Sequence, residues 1–160
     1  MEEISELINR IELHCNDIIN ISKSIKVNHP NEENLKTLKI LIATDGSKNA
    51  DWAVDYALNM AIQTHAEILL LHVVKESTER AMGVNLVNEK AMRIRNYGID
   101  VSSRIECGDP VNKILTVADE SDAGMIVLGL NGMSSWKGAL MGNVSEKVLD
   151  RASVPVLVIR

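Results

Sequence analysis

Apolar residues recur along this chain in two alternating rhythms. Ile4, Ile8, Ile11, Cys15, Ile18, Ser22 and Ile25 are separated by steps of four and three, the spacing of a coiled-coil seam, so a helix is expected over 3–26. Leu7, Leu13, Ile19 and Ile21 widen its apolar face. Such a helix either pairs with another chain or lies flat on its own domain; the sustained seam tilts the expectation toward pairing. The polar stretch 28–34, with Pro30 inside it, reads as a linker. It separates an N-terminal helix and linker, 1–36, from a domain spanning 37–160.

Beyond the linker, short apolar runs alternate with helical patterns. Residues 39–43 read as a buried strand, followed by Asp45-Gly46-Ser47, with Ser47 as N-cap of a helix carrying Ala50, Ala53, Val54, Ala57, Leu58 and Ala61 on one face. A second apolar strand covers 68–74. The helix over 80–96 should be weakened by Gly83 and stopped by Gly98 at its C′ position. Residues 99–105 alternate apolar with polar, as a strand buried on one face does, which places them at a sheet edge. Asp109-Pro110 is a cap followed by proline at the first helical position. A strand at 125–128, a glycine-punctuated loop, a helix near 142–151 and a strand at 154–159 complete the pattern.

Five strands alternating with four helices imply an α/β, Rossmann-like domain: an open five-stranded parallel sheet, order 3-2-1-4-5, with helices on both faces. Ligands in such folds sit beyond the carboxyl ends of the strands where strand order reverses. Here that means the first and fourth strands, which end in Thr44-Asp45-Gly46-Ser47 and Gly129-Leu130-Asn131-Gly132.

Composition narrows the function classes. The 160 residues are 46% hydrophobic and 2% aromatic with no Phe, so the core is built from Ile, Leu, Val, Met and Ala, a palette suited to a parallel sheet under helices. Seventeen basic residues against 22 acidic ones give a net charge of −5 without a basic run, which argues against nucleic-acid binding. No apolar stretch approaches a membrane span and no export signal is visible, so a cytoplasmic protein with reduced thiols is expected. Cys15 and Cys107 belong to no CxxC pair, and the four histidines lack zinc-ligand spacing.

The loop after the fourth strand places Gly129, Gly132 and Gly142 with gaps of two and nine residues. Gly129 would let a ligand approach the backbone, Gly132 would permit a tight turn, and Gly142 sits where a helix begins with free amides suited to an anion. Together with Ile-Leu-Ile-Ala-Thr-Asp-Gly-Ser at 40–47, Leu-Leu-Leu-His-Val-Val at 69–74 and Val-Pro-Val-Leu-Val at 154–158, the domain resembles the universal stress protein family. Some members of that family bind ATP through Gly-x2-Gly-x9-Gly-(Ser/Thr). This chain departs at Asn143, where the family has Ser or Thr.

The resemblance implies that Ala43 and Asp45 lie near the nucleoside, that the Val73 backbone meets adenine, and that Leu128 and Gly129 line base and ribose. Gly132, Gly142, Asn143, Val144 and Ser145 would cradle the triphosphate, with Mg²⁺ held by phosphate oxygens. It also implies a homodimer through the strand at 154–159, possible alongside pairing of the N-terminal helices. Other readings stand beside these: Asp45 as a helix cap, His72 as a buried hydrogen-bonded histidine, Cys107 as inert, and Met133 and Trp136 as loop packing. With no GxxxxGK[ST] and no nucleophile paired to a base, the expectation is a nucleotide-binding regulatory module and not an enzyme. The alternatives are a dimeric interaction protein that binds no nucleotide, and a slow ATPase.

Overall fold

The computed structural model describes residues 37–130 and 143–160, all within the unit Thr37–Arg160. The expected helix at 3–26, the linker, Gly132, Met133, Trp136 and Gly142 lie outside the described residues. The strands are β1 (Lys39–Ala43), β2 (Glu67–Val74), β3 (Val101–Cys107), β4 (Met125–Gly129) and β5 (Val156–Ile159). The helices are α1 (Lys48–Thr64), α2 (Arg80–Arg95), α3 (Pro110–Glu120) and α4 (Asn143–Arg151), with a 3₁₀ turn at Ser77–Glu79. The sheet has the expected order, β3-β2-β1-β4-β5, and every pair is parallel.

Handedness assigns the helices to faces. Steps from β1 to β2 to β3 run one way across the sheet, and the later steps return past β1 to β4 and β5. Right-handed crossovers therefore put α1 and α2 on one face and α3 and α4 on the other. The contacts agree: α1 packs on β1, β4 and β5, α2 on β2 and β3, and α3 on β2 and α4. Strand side chains alternate between these layers. Leu41, Leu69, Leu71, Ile126 and Leu128 meet Val111, Ile114, Val117 and Val148 in one core. Ile40, Ile42, Ile68, Leu70 and Val127 have the opposite parity and are buried toward Ala53, Val54, Ala57, Val87, Ala91 and Ile94.

Two glycines prove to be packing residues. A Cβ on Gly129 would lie 2.7 Å from the Asn49 carbonyl carbon and 2.8 Å from the Ala50 nitrogen, so α1 starts directly against the end of β4. The backbone of α1 is therefore by itself a sufficient reason for glycine at this position. Gly83, read as a weak point in its helix, is buried, and a Cβ there would stand 2.7 Å from His72 Cδ2. Its absence lets α2 settle on β2.

Three boundaries also shift. The edge strand runs over 101–107 and not 99–105, because α2 ends at the cap Asn96 and Gly98, at φ +74°, turns the chain two residues after that cap, one later than a C′ stop. Its alternation is also broken, since Ser102 and Ser103 are both exposed and the next four residues are all half-buried. The last strand starts at Val156 and not Val154: Pro155 lacks an N–H, and its carbonyl accepts from Ile126 before the ladder begins.

The β3 edge carries charge. Arg104 donates to Glu106 at 2.6 Å and to Glu120 at 2.7 Å, and Lys113 donates to Glu106 at 3.2 Å. Arg104, then burial and Lys113, act on Glu106, and the two cations hold its carboxyl below the usual range. The carboxylates of Glu106 and Glu120 raise Arg104 in turn. Charges on an open edge also disfavour pairing with another sheet.

Gly129→Ala should cost about 1–3 kcal/mol in urea unfolding, because a rigid helix backbone must move. Gly124→Ala, whose added Cβ meets only the tip of Leu38, should cost less than half of that. Glu106→Gln should lower stability at pH 7 by about 0.5–1 kcal/mol. A depressed carboxylate pKa stabilises the fold above the unfolded value and stops doing so as pH falls through the folded one, so the deficit should close in acid.

Candidate functional site

β1 and β4 run side by side as far as the pair Ala43 and Leu128. Past it the chain leaves β1 toward α1 on one face, and α4 follows β4 on the other. In sheets of this topology a crevice is expected at the carboxyl edge where neighbouring strands send their chains to opposite faces, which here is between β1 and β4.

The β1 wall is a tightly bonded turn. Thr44 is 3% exposed and donates its N–H to Leu71 O at 2.9 Å. Its hydroxyl accepts from Gly46 N at 3.3 Å, and Gly46 adopts φ +80°, which glycine allows without strain. Asp45 Oδ1 accepts from Ser47 N at 3.0 Å, and Ser47 Oγ accepts from Ala50 N at 3.2 Å. Ser47 is therefore the cap of α1, and Asp45 braces the turn ahead of it, half-buried at the crevice rim.

β2 outruns β1. Glu67 N bonds Leu38 O and Leu71 O accepts from Thr44, whereas Ile68 N bonds Asp100 O and Val74 O accepts from Gly108. Odd residues of β2 thus turn their backbone groups toward β1 and even ones toward β3. Val73 is odd, and its N–H and C=O point to the side that β1 has left after Ala43.

On the β4 side, Leu130 N bonds Ile159 O at 2.6 Å, while Leu130 O accepts from Ser145 Oγ at 2.8 Å. Ser145, 3% exposed, ties the first turn of α4 to the end of β4. Helix amides in a first turn lack intrahelical acceptors and carry partial positive charge. Asn143 and Val144 are exposed there.

The structure thus brings Ala43, Asp45, Val73, Leu128, Gly129, Asn143, Val144 and Ser145 to one edge of the sheet. His72 is half-buried with Nδ1 2.7 Å from Thr44 O. Cys107 is half-buried and donates to Lys75 O at 3.4 Å. Among the described residues, no group of three His, Cys, Asp or Glu could hold a metal ion. No described helix is long and apolar enough to cross a membrane.

The profile of the universal stress protein family matches residues 36–160. The chain belongs to that family. It is 31% identical to universal stress protein YxiE of Bacillus subtilis (strain 168), over 76% of this chain and 98% of that one. Universal stress protein UspA from Lactobacillus plantarum superposes with a TM-score of 0.73 at 25% identity, covering 79% of this chain and all of the other. A universal stress protein in complex with cAMP superposes at 0.67 and 28% identity, covering 78% and 97%.

Sequence reasoning placed the motifs of this universal stress protein but undervalued Thr44 and Gly83. The signal was available: a polar His72 within an apolar strand requires a partner, and a glycine inside a helix requires a close neighbour. Ser145→Ala should destabilise the domain by about 1–2 kcal/mol in urea unfolding, because Leu130 O loses its side-chain donor beneath α4.

Proposed function

We propose that this universal stress protein binds an adenine nucleotide, ATP with Mg²⁺, in the crevice between β1 and β4. The observation that carries this reading is the Val73 backbone, turned toward space that β1 has vacated, on the same sheet edge as Asp45 and the first turn of α4. An adenine edge offers a donor and an acceptor to match an extended backbone. Asp45 can accept from ribose hydroxyls, Ala43, Leu128 and Gly129 would line the base and sugar, and the amides of Asn143 and Val144 suit phosphate oxygens. The Ser145 hydroxyl proton is committed to Leu130, so Ser145 serves the site by holding α4 in place. Gly132 and Gly142 would complete the phosphate loop. The related structure with cAMP supports an adenine nucleotide as the ligand class.

Mg²⁺ would enter on the phosphates, since the described residues offer Asp45 near the crevice but no ligand cluster. The protein acts by binding and not by turnover, as a cytoplasmic regulatory module that pairs through the β5 edge. β5 is half-buried along its length and has β4 as its one neighbour in the sheet, which suits a second copy of the chain. Asn143 favours a second reading, an interaction protein that binds no nucleotide. A backbone contact tolerates Asn, whereas a hydroxyl contact does not, so Asn143→Ser separates the two.

Mg-ATP at about 100 times its dissociation constant should add roughly 2.7 kcal/mol of stability and raise the melting temperature. Asp45→Ala should weaken binding, Asn143→Ser should preserve or improve it, and phosphate release should be slow or absent. Calorimetry without heat at millimolar ATP would establish the second reading instead.

A further inference from the structure

The turn that bears Asp45 is held by a side chain outside the turn. In a continued parallel ladder, after Thr44 N has bonded Leu71 O, the next bond would run from Val73 N to Thr44 O. The Thr44 carbonyl instead has the imidazole of His72 as its donor, with Nδ1 2.7 Å away. A carbonyl only accepts, so Nδ1 carries the proton, as it does in one neutral tautomer and in the cation. The ring is seated from the other side by Gly83, where a methyl group would stand 2.7 Å from Cδ2 and 3.4 Å from Nε2. Leu86, one turn further along α2, closes on Gly46 of the same turn, its Cδ1 3.3 Å from where a Cβ would lie.

We propose that His72 is a positioning residue for the nucleotide site: its Nδ1–H takes the ladder bond that Val73 would otherwise make to Thr44 O. The β1 chain is thereby turned away toward α1 with its last carbonyl satisfied. Val73 keeps its backbone N–H and C=O for a ligand edge, and Asp45 is set at the rim. His72 touches no ligand in this arrangement. Gly83 belongs to the same device, since only a residue without a side chain lets the ring lie flat enough to reach Thr44. This role rests on the adenine-nucleotide reading for its consequence but not for its geometry.

Position, and not volume, is the testable element. The amide nitrogen of Asn occupies the place of Nδ1, whereas that of Gln falls nearer Nε2, and Leu fills space without a donor. ATP and AMP affinities should fall about tenfold in His72→Leu and His72→Gln and stay within about threefold in His72→Asn, the tenfold step being the size of one hydrogen bond. Both nucleotides should lose equally, because the contact serves the base end. Gly83→Ala should mimic His72→Leu, and the loss should shrink in the Gly83→Ala, His72→Asn double variant, where no ring remains to be displaced. Amide exchange of Gly46 and Ser47, read without nucleotide, should quicken in the Leu and Gln variants and not in the Asn variant. Equal loss in the Asn and Leu variants would overturn the proposal in favour of simple ring packing, as would unchanged affinity in all three. If the unsubstituted protein bound neither nucleotide, the binding reading would fall by itself, and amide exchange alone would decide whether His72 holds the turn.

Discussion

The site depends on the reversal of strand order between β1 and β4. Crossover handedness is fixed by the twist of strands and helices, so a sheet that grows first one way and then the other must send the helices of its two halves to opposite faces. The chain leaves β1 for α1 on one side, and β4 is followed by α4 on the other. Between them backbone edges are left that the sheet itself cannot use. Everything read as functional here, Asp45, Val73 and the first turn of α4, lies on that edge for this topological reason.

The crevice is nonetheless shaped by close packing below it. α1 begins against Gly129 with its backbone where a side chain would be, which fixes where the turn between β1 and α1 can run. Thr44 and His72 then satisfy the polar atoms that this turn buries, and Ser145 does the same for Leu130 on the far wall. An unmet buried polar group costs about 1–3 kcal/mol. Each wall is thus held by one side chain that satisfies the last carbonyl its strand leaves behind.

Strand order and faces were legible in the sequence because burial imposes its period. The runs at 39–43, 68–74 and 125–128 are apolar on both faces, and the more polar segment after Gly98 does lie at the edge. What periodicity could not show was the reason for individual glycines. Gly129 and Gly83 carry no mark that distinguishes ligand approach or helix weakness from tight packing, since the difference lies in a neighbour distant in sequence. Boundaries slipped where a turn or a proline intervened, at Gly98 and Pro155, because local chemistry there overrides the apolar pattern. The positions of the site motifs were legible; the bond from His72 to Thr44, 28 residues apart, was not.

The most direct measurement is a crystal structure of the full chain with Mg-ATP or a non-hydrolysable analogue. The account predicts the adenine edge on the Val73 N–H and C=O, the ribose at Asp45 and the phosphates at the amides that open α4. A nucleotide bound elsewhere, for instance in the groove between α1 and α2 lined by Asp55, Leu58, Arg93 and Tyr97, would contradict it.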